Sequence, residues 1–221
     1  MPPLENYAVV VVDTLRATTT MATILERGAQ GVLPVADVDE AFSLRDKNPH
    51  VLLGGERHNR PLPGFDAGNS PFDYPESMVQ DRLVVLSTTN GTQAVERVRD
   101  ASWVALGALV NARACFEQQI RAADTGLVVC AGTEGQVALE DVLAAGSIVS
   151  YWPTDLRGDG AHLACAFYRR WQDDLVQGIR LASHAKTLIN QGLEQDVDFA
   201  ASLNIYSRVP VRQSTNWFAY S

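Results

Sequence analysis

Residues 9–20, VVVVDTLRATTT, decide how this chain is read. Four successive valines without alternation describe a strand buried on both faces, the pattern of a parallel sheet covered by helices. The run ends in Asp13 and Arg16, directly before a helical stretch at residues 21–27. In a parallel α/β sheet, loops and helix N-termini converge at that edge, and ligands bind there. The pattern leaves three roles open to Asp13: ligand to a hard metal ion, nucleophile, or cap of the helix. Arg16 has two, a clamp for an anionic group or a partner for a neighbouring acid.

Outward from this stretch the pattern repeats. An apolar segment at residues 31–36 leads into an acidic helix start at residues 37–40, and that helix ends near Asn48-Pro49. Residues 51–55 read as a third strand, with Glu56 standing just past its glycine pair. The long loop of residues 57–75 is rich in Gly, Pro, Asn and Asp, and its length marks a functional segment. It carries His58 as an acid/base candidate, Arg57 and Arg60 as holders of a dianion, and a Gly68-Asn69-Ser70-Pro71 turn whose amide and hydroxyl suit a cleft.

Residues 83–86 read as the fourth strand, followed by Ser87, Thr88, Thr89, Asn90, Gly91 and Thr92 before a helix at residues 93–98. Glycine admits close backbone approach, and hydroxyls beside free N–H groups can surround a phosphate or, equally, cap the helix. A fifth strand at 103–107 precedes a helix at 111–123. A sixth at 127–130 precedes the turn Ala131-Gly132-Thr133-Glu134-Gly135 and a helix at 136–149, with Glu140-Asp141 placed one to two turns in. Beyond a connector at 151–160, helices are expected at 161–171, 174–189 and 194–203, with a short edge strand at 209–212 where proline is tolerated. The expected fold is α/β, three layers α/β/α with a largely parallel or mixed sheet and a mainly helical C-terminal part. All 221 residues then form one domain, with room for two closely packed subdomains, 1–150 and 151–221.

Eighteen basic against 26 acidic residues leave a formal charge of -8, which disfavours nonspecific binding to nucleic acid or anionic membranes. No apolar run approaches membrane-spanning length and the start MPPLENY has no basic signal region, so the expected location is cytoplasmic. Three irregularly spaced cysteines, Cys115, Cys130 and Cys165, make neither a disulfide framework nor a cysteine-rich zinc site.

Four strand ends thus carry Asp13, Glu56, the 87–92 turn and Glu134 to one sheet edge. Oxygen ligands with hydroxyl-rich turns suit Mg²⁺ rather than zinc, and Mg²⁺ keeps water ligands and is completed by substrate phosphate. The expected partner is therefore a small anionic phosphorylated substrate; a homodimer is the base-rate assembly. No GxxxxGK[ST] loop is present, which disfavours a P-loop kinase. Cys115 and Arg121 have the spacing of a cysteine-phosphatase loop, but the residues between them are bulky and helical in pattern. Cys130, at a strand end, reads either as a small buried residue or as a catalytic thiol.

Several strings together are specific: DTLRATTT at 13–20, GER at 55–57, GNSP at 68–71, TTNGT at 88–92, CAGTEG at 130–135, ED at 140–141, SHAKTL at 183–188 and GLEQDVDFA at 192–200. They resemble the 2-phosphosulfolactate phosphatase family over nearly the whole chain. The resemblance implies an α/β fold and a magnesium-dependent phosphomonoester hydrolase acting on 2-phospho-3-sulfolactate. It implies cleft positions for Asp13, Arg16, Glu56, Arg57, Asn69, Ser70, the 88–92 loop and the 130–134 turn, which includes Gly132 and Thr133. The metal is then expected on Asp13, with Glu56 or Glu134. An isomerase or lyase of a small phospho-acid, or a non-catalytic sensor, would use the same anion cleft.

Overall fold

The computed structural model describes residues 4–214 and 216–220. Its elements are, in chain order, β1 (Ala8–Val12), α1 (Ala17–Glu26), β2 (Gly31–Val35), α2 (Val38–Lys47), β3 (Leu52–Arg57), β4 (Arg60–Pro61), α3 (Glu76–Val79), β5 (Leu83–Ser87) and α4 (Asn90–Arg97). They continue with β6 (Trp103–Gly107), α5 (Ala112–Ala122), β7 (Gly126–Cys130), α6 (Leu139–Val149), α7 (Asp159–Trp171), α8 (Leu175–Arg180), α9 (Ser183–Asn190), α10 (Glu194–Ala200), β8 (Val211–Arg212) and β9 (Phe218–Ala219).

The four valines of β1 are completely buried. Because strand side chains alternate, Val10 and Val12 enter one core with Leu109, Leu143 and Ile148, while Val9 and Val11 enter another with Met21, Ile24 and Leu86. At about 1.5–3 kcal/mol for each buried valine, this strand holds helices to both faces of the sheet. The C-terminal helices join the first of these cores through Ile179, Leu188 and Val197.

Among the described residues the sheet has nine strands in the order β4-β3-β5-β2-β9-β8-β6-β1-β7. It is mixed: β3-β5-β2 and β6-β1-β7 are two parallel triplets, joined by an antiparallel β8-β9 hairpin from the C-terminus. The segment expected at the sheet edge is thus interior. Val211 pairs with Ala105 on one side and Ala219 on the other. Pro210 is accommodated because it stands just before the strand and offers only its carbonyl, to the Leu106 N–H at 3.0 Å.

Other boundaries move for local reasons. β3 continues through Glu56 and Arg57, which pair with Pro61 and Arg60 in a hairpin. Its turn residues, His58 and Asn59, both have positive φ, 55° and 65°, as a two-residue type I′ turn demands. The long loop is therefore part hairpin, followed by a 3₁₀ turn at Pro71–Asp73 that Ser70 caps. α4 begins at Asn90, so Asn90, Gly91 and Thr92 form its first turn instead of preceding it. α6 begins at Leu139, since Thr133 and Gln136 exchange backbone hydrogen bonds at 3.1 and 2.9 Å and hold residues 133–136 in a tight turn. This puts Glu140 and Asp141 in the first turn of α6. The helix expected at 174–189 is two, broken by Ala182 in an extended conformation, and Ser183 and His184 open the second. α10 ends at Ala200, short of the expected 203. No helix among the described residues is long and apolar enough to cross a membrane.

Candidate active site

The two parallel triplets and the C-terminal helices meet around a cleft of about 450 Å³. Of the residues expected from sequence, Asp13, Arg16, Glu56, His58, Asn69, Thr88, Thr89, Asn90, Thr133 and Glu134 line it. Leu15, Asn59, Ser183, His184, Thr187 and Gln191 complete its walls. That volume suits a small metabolite.

Asp13 follows β1 directly. Its backbone N–H donates to the Thr18 hydroxyl at 3.0 Å, and its Oδ1 accepts the Ala17 N–H at 3.3 Å. The carboxylate therefore does serve the start of α1, while its buried position also faces the cleft. Burial raises its pKa from 3.8 to about 6; His184 and the Ala17 N–H oppose the shift, and Glu140 and Glu56 add to it. Close packing surrounds it, since a Cβ on Gly91 would stand 2.8 Å from Asp13 Oδ2 and 2.7 Å from the Ala17 methyl.

Asp141 fixes the adjoining turns. It accepts the Thr14 N–H at 2.8 Å and the Gly132 N–H at 3.0 Å. Burial holds its pKa well above the usual carboxylate range, with further upward pressure from Asp13 and Glu140. Glu56 accepts the Asn59 N–H at 2.8 Å and lies 3.4 Å from the Thr89 N–H, tying the β3-β4 turn to the start of α4. Arg16 is buried and donates to Asp196 at 2.6 Å; Ser70 donates to the other oxygen of Asp196 at 2.7 Å. His184 lies with Nδ1 3.5 Å from Glu140 and Nε2 3.1 Å from the Asn59 amide oxygen.

The remaining expected residues stand outside the cleft wall. The Arg57 guanidinium is committed to the Glu56 carbonyl at 2.7 Å, the Ala36 carbonyl at 2.7 Å and the Ser87 hydroxyl at 3.1 Å. Arg60 is exposed on β4, and Ser70 is occupied by Asp196 and the 3₁₀ cap. Gly91 supplies space, Thr92 donates back to the Thr88 carbonyl at 2.6 Å, and Gly132 gives its N–H to Asp141. Cys130 is exposed on one side, correcting the reading of it as a buried strand residue. Packing on its other side, with Asp141 and Glu140 near, pushes its thiol up to about 12, so it is protonated at neutral pH.

Among the described residues three buried side-chain oxygens have no hydrogen-bond partner: Asn69 Oδ1, Thr88 Oγ1 and Glu140 Oε2. The first two belong to cleft-lining residues. Among the described residues no three His, Cys, Asp or Glu side chains form a group that would by itself hold a metal ion. Mg²⁺ needs no such cage, because one or two carboxylates with water and substrate oxygens suffice. The cleft-lining carboxylates of Asp13, Glu56 and Glu134 offer oxygen donors alone, and Asn69 and Thr88, whose side-chain oxygens lack partners, line the same cleft, a chemistry that fits that ion and not a soft one.

The sequence model of 2-phosphosulpholactate phosphatase matches residues 3–215. The chain belongs to the 2-phosphosulpholactate phosphatase family. A protein of Thermotoga maritima named as a probable 2-phosphosulfolactate phosphatase is 39% identical over 208 residues, covering 94% of this chain and 90% of its own. One of Deinococcus radiodurans with the same name is 43% identical over 205 residues, covering 90% and 85%. Another, of Symbiobacterium thermophilum, is 38% identical over 220 residues, covering 96% and 94%. Family membership thus spans both sheet triplets and the C-terminal helices that close the cleft.

Asn59 was not among the candidates from sequence, and His184 and Asp196 stood there only inside the strings SHAKTL and GLEQDVDFA, with no site role of their own. No ligand-like spacing surrounds His184, and Asp196 sits 180 residues from the arginine it holds.

Proposed function

We propose that this protein hydrolyses 2-phospho-3-sulfolactate to 3-sulfolactate and inorganic phosphate with Mg²⁺. The observation that carries this reading is the convergence on one cleft of Asp13 with Asn69 and Thr88, residues whose side-chain oxygens lack partners, in a chain of the phosphatase family. Asp13, with Glu56 or Glu134, would hold the ion. Bound there, Mg²⁺ would neutralise the phosphoryl oxygens and lower the barrier to displacement.

The chain's own groups supply the rest. The Thr88 and Thr89 hydroxyls, with N–H groups in the first turn of α4, would receive phosphoryl oxygens, a charge that the helix dipole favours. Arg16 adds a fixed guanidinium beside them, held by Asp196. The nucleophile is water or Asp13 itself; a phosphoenzyme trapped at Asp13 selects the second. Full Mg²⁺-dependent turnover by Asp13→Asn excludes both roles of Asp13.

The test is phosphate release from a panel of phosphorylated and sulfonated small acids, with and without Mg²⁺. Release from 2-phospho-3-sulfolactate that stops on chelation is the expected result. Binding without phosphate release from any member overturns the reading.

A further inference from the structure

Resting on that hydrolase reading, we propose that His184 is a catalytic residue, the proton donor to the ester oxygen that leaves phosphorus. α9 opens immediately after the extended Ala182, which sets His184 in the first turn of the helix and on the cleft wall. Its ring is mostly buried, with 15% of the side chain exposed. Nδ1 lies 3.5 Å from Oε1 of Glu140, a carboxylate only 2% exposed whose other oxygen has no partner. Nε2 lies 3.1 Å from the Asn59 amide oxygen, and Asn59 is itself a cleft residue.

An oxygen faces each ring nitrogen, Glu140 Oε1 at Nδ1 and the Asn59 amide oxygen at Nε2, so a ring that carries the transferable proton has an acceptor on both sides. Glu140 orients the ring from behind, as a carboxylate behind histidine does in hydrolytic triads. Nε2 faces Asn59 at the cleft, and a substrate ester oxygen that takes the place of the Asn59 amide oxygen would accept the proton from it. His58 also faces the cleft, but from an exposed hairpin turn. An alkoxide is a poor leaving group, so a positioned proton is worth more here than for an activated phenol.

The step balances. The P–O ester bond breaks, its electron pair stays on the ester oxygen, and that oxygen takes the Nε2 proton to become the alcohol. The water whose oxygen enters on phosphorus gives up a proton, which restores the imidazolium by the end of turnover.

The experiment compares wild type and His184→Ala with Mg²⁺ on 2-phospho-3-sulfolactate and on p-nitrophenyl phosphate, whose leaving group needs no proton. The expected loss in kcat is about 100-fold or more for the alkyl ester and less than about 10-fold for the aryl ester. Equal losses on both overturn the proposal and leave the hydrolase reading standing. Absence of wild-type phosphate release from either ester overturns both. If wild type cleaves only the natural substrate, the bridging-oxygen isotope effect decides: it rises in His184→Ala when the proton is lost, and an unchanged value overturns the proposal. His184→Gln, which keeps the bulk and a donor, carries the same comparison if the alanine variant does not fold. Glu140→Gln should shift the alkyl-to-aryl ratio in the same direction, as a positioning residue would.

Discussion

Arg16 donates to Asp196 at 2.6 Å across 180 residues of chain, and both side chains are almost fully buried. The pair joins the end of β1 to α10, and Ser70 completes it from the long loop. A buried pair contributes little net stability compared with apolar replacements, but removing one partner strands a charge. Asp196→Ala should therefore lower unfolding stability by about 3–5 kcal/mol, read from urea denaturation midpoints. It should also raise KM, because Arg16 loses its anchor. A loss of about 1 kcal/mol or less, the value of an exposed pair, would show that Arg16 finds water or another acceptor.

Asp13 carries a sign that the stability curve can read. Its pKa is near 3.8 unfolded and about 6 folded, so the native state binds the extra proton. Stability from this group is fully present below the unfolded value and is lost as pH rises through about 6. The shift corresponds to an upper figure of about 3 kcal/mol. In the presence of a chelator, Asp13→Asn should be more stable than wild type at pH 7, with the difference shrinking towards pH 4. Asp141 is shifted in the same direction, so the difference between the two proteins, not the wild-type curve alone, isolates Asp13.

The unalternated valines of residues 9–12 were readable because burial on both faces leaves a local trace. So were the polar residues past the strand ends and in the loops that follow them, ten of which the fold gathers around one cleft. A short strand at 209–212 was readable and is β8, but its interior place and its partner β9 were not, because the position of two-residue strands is specified by neighbours distant in sequence rather than by their own pattern. The roles of His184 and Asp196 were hidden for a related reason, although the strings that hold them stood out. Each lies in a short helix, and only tertiary packing reveals that its face meets Glu140 or Arg16. Arg57 and Ser87 show the converse. Their types suited an anion site, but neighbouring backbone carbonyls offered the guanidinium acceptors first.

Arg57 accordingly belongs to a prediction about stability. Its guanidinium spans carbonyls on three segments, at Ala36, Glu56 and Ser87, which an ammonium cannot reach together. Arg57→Lys should cost about 1–3 kcal/mol in denaturant unfolding, from carbonyls left unsatisfied, with KM for substrate close to wild type. A rise in KM with unchanged stability would instead return Arg57 to the substrate-binding role its neighbourhood in sequence suggests.

Gly91 separates space from chemistry at the cleft. An added Cβ would stand 2.7 Å from the Ala17 methyl and 2.8 Å from Asp13 Oδ2, with Thr88 Oγ1 at 3.4 Å. Neither α1 nor the end of β1 can withdraw easily, because Ala17 and the β1 valines are completely buried. The methyl must therefore displace the start of α4 or turn the Asp13 carboxylate. Gly91→Ala should cost about 1–3 kcal/mol by overpacking. It should also lower kcat/KM by about ten-fold or more, since small misplacements of positioned groups are costly to catalysis. Gly135→Ala is the matched control: a Cβ there meets no atom within 4 Å, although its φ of 77° carries backbone strain. The Gly135 variant should lose stability while keeping activity per folded molecule. Equal activity losses in the two variants would mean that Gly91 matters for folding alone and that the closeness of α4 to Asp13 has no part in turnover.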